Sequence, residues 1–145
     1  MTRIIGLGSP FDDDSIGWRC LQALQAELEK LAAHVEIIYC ATPGTQLIHL
    51  LQADIPTILV DALLSEQQTA RVHRLQLDQL QQPEALSSHQ ISVAAILQLA
   101  ASLGRLPQQL HILGISVQPQ QRLDAQQFAR LQQELRQHIS TLVIG

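Results

Sequence analysis

The stretch Arg3-Ile4-Ile5-Gly6-Leu7-Gly8-Ser9-Pro10-Phe11-Asp12-Asp13-Asp14-Ser15-Ile16-Gly17 reads as a short apolar strand, a loop rich in aspartate, and the start of a helix. The helix is expected over Ile16 to Lys30, because Leu21, Leu24, Leu28 and Leu31 recur at steps of three and four. A strand that feeds a helix of this length is the opening of a βαβ unit. The chain then repeats the alternation. Val35-Cys40 is a second strand, Gly44 to Leu51 a short helix, and Thr57-Val60 a third strand. The third strand is apolar throughout, as a strand covered on both faces should be. Ala70-Leu77 alternates more weakly and suits an edge strand. Ser88 to Leu103 is a nearly all-apolar helix, Leu110-Ile115 the last strand, and Leu123, Phe128, Leu131, Leu135 and Ile139 mark the final helix. The order β-α-β-α-β-β-α-β-α predicts an α/β fold: a three-layer αβα sandwich around a mostly parallel, twisted five-stranded sheet with helices on both faces.

At 145 residues, the chain (1–145) holds one domain; one core of that size folds without staples. Hydrophobic residues make up 46% and charged residues 15%, which excludes a disordered chain. No apolar run approaches the roughly 18 residues of a membrane span, and the N-terminus lacks the pattern of a signal peptide. A cytoplasmic location and no membrane partner are expected. The net charge of −4 and the 3% aromatic content leave neither an electrostatic footprint nor a stacking platform for nucleic acid. Cys20 and Cys40 form no C-x-x-C pair and read as reduced core residues.

In an open α/β sheet, ligands bind beyond the carboxyl ends of the strands, where the strand order switches. Only the residues that follow each strand therefore matter. They are Asp12, Asp13 and Asp14 after the first strand, Asp61 after the third, and His89 in Ser87-Ser88-His89 at a helix start. The segment Gly114 to Pro119 follows the last strand. Gly6-Leu7-Gly8 is no dinucleotide fingerprint. Phe11 stands where a third glycine belongs, no acidic residue follows the second strand, and three carboxylates would repel a pyrophosphate. The same charge speaks against a phosphate-ester enzyme.

Each candidate has a plainer role. One aspartate is explained as a helix cap, but three in a row raise each other's pKa at a cost that a cation would relieve. Asp61 alone could simply hold its turn, and His89 alone could be a structural residue at a helix start. Their convergence on one rim favours a divalent transition metal bound by two carboxylates and an imidazole. Ligand atoms of Asp14, Asp61 and His89 are then expected on the order of 4–6 Å apart. The loop Gln79 to Ser87, with the apolar helix behind it, is a candidate docking surface for a protein substrate.

These residues resemble the hydrogenase maturation proteases, the nickel-dependent endopeptidases that trim the C-terminus of the [NiFe]-hydrogenase large subunit. The resemblance spans almost the whole chain. The family motif G-x-G-N-x-x-x-x-D-[DE]-x-x-G is similar to Gly6 through Gly17, and its second acidic residue falls on Asp14. The family's strand-end aspartate matches Val60-Asp61-Ala62-Leu63, and its Ser-x-His helix start matches Ser87-Ser88-His89. The Gly-Thr-x-Gly turn resembles Ala41-Thr42-Pro43-Gly44, and the Gly-Ile-x-Pro-like segment is similar to Gly114 through Pro119.

Three departures are visible. Ser9 replaces asparagine, the Ser9–Asp14 loop is one residue short so that the first ligand could slip to Asp13, and Val117 is extra. The resemblance implies that Asp14, Asp61 and His89 bind nickel carried by the precursor, with no organic cofactor. It also implies aspartic-type endopeptidase activity in which Asp14 or Asp13 activates water, and a large-subunit precursor as partner. No serine or cysteine with a base partner is visible in the sequence. The competing possibility is a non-catalytic metal- or protein-binding module on the same fold.

Overall fold

The computed structural model describes residues 1–8, 16–31, 34–41, 45–64, 70–76, 88–118 and 123–144; the side chains of residues 31, 45, 63, 64, 88–92 and 144 are not described. The strands are β1 (Thr2–Leu7), β2 (Val35–Cys40), β3 (Thr57–Leu64), β4 (Arg71–Leu75) and β5 (Leu110–Val117). The helices are α1 (Ile16–Leu31), α2 (Thr45–Leu50), α3 (Ser88–Ser102) and α4 (Ala125–Ile144). The sheet runs β2-β1-β3-β5-β4, parallel except for β4, which pairs antiparallel with β5 at the edge. The expected five-stranded, mostly parallel α/β architecture is therefore the one observed.

Alternation along the strands sorts the core into two layers. Ile4, Ile58, Val60, Leu113 and Ile115 pack with Leu21, Leu24 and Leu28 of α1 and with Leu131, Leu135 and Ile139 of α4. Ile5, Leu7, Leu59 and Ile112, pointing the other way, pack with Leu47 of α2 and with Val93, Ala94, Leu97 and Ala100 of α3. Because strand side chains alternate with period two, one register satisfies both layers at once, and a slip of one residue would exchange them. Cys20 and Cys40 are both buried in these layers as thiols, not joined in a disulfide.

Two strands run further than the sequence pattern suggests. β3 continues past Val60 through Asp61 to Leu64, and β5 continues past Ile115 to Val117, the two pairing along their full lengths. Asp61 is thus a residue inside the strand. Gly114 through Val117 likewise lie within β5 and do not follow it. β1 stops short of this extension, its last partner on β3 being Val60 opposite Gly6. The antiparallel β4 closes over the other side of β5, with Arg71 opposite Ser116. An edge partner that reaches this far supplies hydrogen bonds to residues that a purely parallel sheet would leave in a loop.

α4 opens with a capping box. Gln127 N donates to Asp124 Oδ1 at 2.7 Å, and Asp124 N donates to Gln127 Oε1 at 3.0 Å. Two of the helix's otherwise unpaired N-terminal donors are satisfied this way. Asp124→Ala is expected to lower stability by about 1 kcal/mol, read as an earlier urea midpoint with an unchanged slope. An unchanged midpoint would show that the box contributes nothing.

Candidate functional site at the carboxyl rim

The chain leaves β1 in one direction to form β2 and crosses in the other to form β3. The topological switch therefore lies between the carboxyl ends of β1 and β3, where open α/β sheets carry their ligands. Asp61 stands at this point, one residue beyond the last β1–β3 pair. It is buried, and its Oδ1 accepts the Ala62 N–H at 2.8 Å. Burying a carboxylate is costly unless it is hydrogen-bonded or paired, and this bond to its own chain fixes the side chain at the rim.

The start of α1 sits directly over the same strand ends. A Cβ on Gly17 would lie 3.4 Å from Val60 O and 3.6 Å from Leu7 O. A Cβ there would already be in van der Waals contact with both carbonyls, so a larger side chain would press the helix away from β1 and β3. Trp18 Nε1 donates to Gly6 O at 2.9 Å, and its ring meets Tyr39 edge-on with centroids 5.5 Å apart. At the other end of the connection, Gly8 has φ of 131°, which L side chains rarely adopt, and its N–H donates to Cys40 O at 3.3 Å. Both ends of the segment carrying Asp12, Asp13 and Asp14 are therefore held at the switch point. Asp13 and Asp14 themselves lie outside the described residues.

His89 is the second residue of α3. The seven residues between Ser102 and Leu110 return the chain to the start of β5, so the C-terminal end of α3 lies at the amino edge of the sheet. Its 15 residues span about 22 Å, which carries the first turn of the helix back toward the carboxyl rim. The His89 side chain is not described, so the expected meeting of Asp14, Asp61 and His89 lies outside the described residues. Among the described residues, no three His, Cys, Asp or Glu side chains form a group that could hold a metal.

The loop Gln79 to Ser87 also lies outside the described residues. Within α3, Leu97 is fully buried, Ile96 half-buried and Leu99 46% exposed; Leu103, just past the helix end, is 57% exposed. The helix is therefore not wholly a core element. The exposed apolar pair nonetheless lies toward the C-terminal end, remote from the rim.

Burial pushes the Cys20 thiol up to about 12, opposed only in part by the neighbouring Arg19 cation. A thiol at that value supplies no thiolate at neutral pH, so Cys20 is not a nucleophile. An open groove of about 640 Å³, lined by Arg71, Arg74, Arg130, Glu134 and His138 among others, lies between β4 and α4, on the layer opposite the Asp61 side chain.

One pair escaped the sequence pattern altogether. Ser116 Oγ and His73 Nε2 are 3.0 Å apart, on the neighbouring strands β5 and β4. The pairing could not be read from spacing, because the two residues are 43 positions apart and meet only through the antiparallel register of the edge strand.

A mostly parallel α/β sheet with a buried carboxylate at its switch point has the layout in which open α/β folds carry their ligand sites. The sequence model of HycI, hydrogenase maturation protease, matches residues 18–143, and the chain belongs to that family. It is a hydrolase, a peptidase of hydrogenase maturation.

Solved structures with the same fold include the hydrogenase maturating endopeptidase HybD from E. coli, 23% identical with a TM-score of 0.72 over 98% of this chain and 92% of that one. The [NiFe] hydrogenase maturation protease HybD from Thermococcus kodakarensis is 18% identical, with a TM-score of 0.70 over 98% of this chain and 99% of that one. HycI from Thermococcus kodakarensis KOD1 is 15% identical, with a TM-score of 0.65 over 99% and 93%. Among curated proteins, none matches the sequence. Among the described residues no helix is long and apolar enough to cross a membrane.

Gly17→Val forces branched carbons against the Val60 and Leu7 carbonyls. Overpacking of this kind costs roughly 1–3 kcal/mol. The variant is expected to melt earlier and to lose the Trp18 fluorescence shift on unfolding, because the indole leaves Gly6 O. Wild-type melting in Gly17→Val would show that the close approach is not required.

Proposed function

We propose that this chain cleaves the C-terminal extension from a nickel-loaded [NiFe]-hydrogenase large-subunit precursor and recognises the nickel through Asp14, Asp61 and His89. The observation that carries this is Asp61, a buried carboxylate at the switch point in a chain of the maturation protease family. The nickel belongs to the substrate. Two carboxylates and a neutral imidazole are a donor set suited to it, and they leave coordination positions for groups of the precursor. Asp61 fits the role electrostatically, since a cation at the rim would offset the cost of its burial.

Docking on the ion orients the precursor, so that the peptide bond to be cut is presented to water at the same rim. Holding the reactants in place supplies much of the rate enhancement. Asp14, with Asp13 beside it, is the carboxylate pair that activates the water as general base. The buried Cys20 takes no part. The cytosol is the compartment in which a precursor awaiting assembly and two thiols would coexist.

The test is cleavage of nickel-loaded precursor by Asp14→Asn, Asp61→Asn and His89→Ala, with thermal melting alongside. Asparagine caps a helix as well as aspartate, and at position 61 it retains the oxygen that accepts the Ala62 N–H. Both asparagine variants should therefore stay folded. Loss of outer-shell partners alone costs metal sites 10–100-fold, so loss of a ligand should lower kcat/KM by more than about 100-fold. Full activity in Asp14→Asn and His89→Ala at unchanged melting would eliminate nickel capture by these residues. Activity lost in step with stability would assign them structural roles.

A further inference from the structure

Asp61 of β3 is paired in register with Gly114 of β5, and Gly114 with His73 of β4. The three residues form one rank across three adjacent strands. Alternation sends their side chains to the same face: Leu59, Ile112 and Leu75, each two residues from a member of the rank, belong to the α2–α3 layer. Strands lie about 4.8 Å apart, so Asp61 and His73 stand roughly 10 Å apart at Cα. Between them is a glycine with no side chain. The His73 imidazole turns toward β5, where its Nε2 lies 3.0 Å from Ser116 Oγ. His73 is half-buried and so open to a bound molecule.

Ser116 is not a nucleophile. It is 2% exposed, and its Oγ is tied to both backbone groups of Arg71, accepting from Arg71 N at 3.1 Å and donating to Arg71 O at 3.2 Å. A hydroxyl has one proton. With that proton on Arg71 O, the remaining contact requires His73 Nε2–H to donate to Ser116 Oγ. The serine thus holds the ring as an orienting third group holds a catalytic base. It also decides which nitrogen exchanges protons: Nε2 keeps its hydrogen, and Nδ1 is the working atom.

We propose that His73, oriented by Ser116, is a further catalytic residue of this peptidase, the group that protonates the leaving nitrogen of the cleaved peptide bond. The proposal rests on the rim around Asp61 being the site of cleavage. The attacking water gives one proton to the Asp14 or Asp13 carboxylate as its oxygen bonds to the scissile carbonyl carbon. The C–N bond breaks as the leaving nitrogen takes a proton from Nδ1 of the imidazolium. The carboxylate releases its proton to solvent, the imidazole takes one from solvent, and the new carboxyl group gives up the second water proton to the amine. The products are a carboxylate and an ammonium. A carboxylate pair alone provides the base for the first half of this sequence, and His73 provides the acid for the second.

The experiment uses the full chain, nickel-loaded precursor, and the variants His73→Gln, His73→Ala and Ser116→Ala. Glutamine keeps a donor toward Ser116 Oγ but cannot carry the proton. Acid–base groups contribute typically 10²–10⁴-fold, so His73→Gln should lose about 100-fold or more in kcat with KM and melting near wild type. Added imidazole should restore His73→Ala at least about 10-fold, the fraction of the lost acid–base contribution that a diffusing acid can replace. Ser116→Ala should show a smaller loss.

Nitrogen-15 NMR of the free protein supplies a readout independent of cleavage, with neutral His73 expected as the Nε2–H tautomer. His73→Gln cutting at near wild-type kcat, while Asp61→Asn is inactive, would overturn the proposal and leave the rim intact as the site. Activity lost together with melting and not restored by imidazole would also overturn it, as would a neutral Nδ1–H tautomer. If the wild-type chain itself leaves the precursor uncut, the assigned function falls and the role of His73 falls with it.

Discussion

The rim is built on the backbone of Gly17 lying against the carbonyl oxygens of Val60 and Leu7. That approach seats the first turn of α1 on the ends of β1 and β3, beside Asp61. It holds the helix end of the connection from Gly8 to Ile16, and the Gly8 N–H bonded to Cys40 O holds the other. A side chain larger than alanine's at position 17 would press the first turn of α1 off those carbonyls. Trp18, bonded to Gly6 O, locks the same turn from the other side. Packing in the α1–α4 layer thus seats the first turn of α1 at the rim, although none of the packing residues carries chemistry.

The second element of the rim is the length of the central strands. β3 and β5 outrun β1 and remain paired through Leu64 and Val117. Asp61 can be buried because it sits on a regular strand and bonds the next N–H. Opposite it stands Gly114, and opposite Gly114 stands His73 of the edge strand. The antiparallel β4 does more than close the sheet. It carries an imidazole to a rank already holding a carboxylate, and Ser116 fixes the ring there. In the proposed mechanism the ion arrives with the substrate, and this rank is where the described residues would supply a proton donor.

Much of this was legible in the residues. Val35–Cys40 matches β2 at both ends, since an apolar run bounded by turn residues has no competing period. The leucine spacing of α1 and the apolar run of β3 fixed the layers. The ends of β3 and β5 were not legible, because Asp61 and Gly114 interrupt the apolar pattern where cross-strand hydrogen bonds continue it. Asp61 was recognised by type and place, as the acidic residue directly behind a buried strand. His73 was not, because its partner is chosen by the register of an antiparallel edge strand, which a period-two pattern does not specify. The exposure of Leu99 and Leu103 at the end of α3 was likewise hidden, since an apolar helix reads the same whether its last turn is covered or bare.

The central claim is that the rim recognises nickel carried by the precursor. The most direct measurement compares the wild-type chain on two otherwise identical large-subunit precursors, one loaded with nickel and one metal-free, with product masses read by mass spectrometry. A single C-terminal fragment released from the nickel-loaded precursor alone is the predicted result. Equal cleavage of both forms, or of neither, would contradict it.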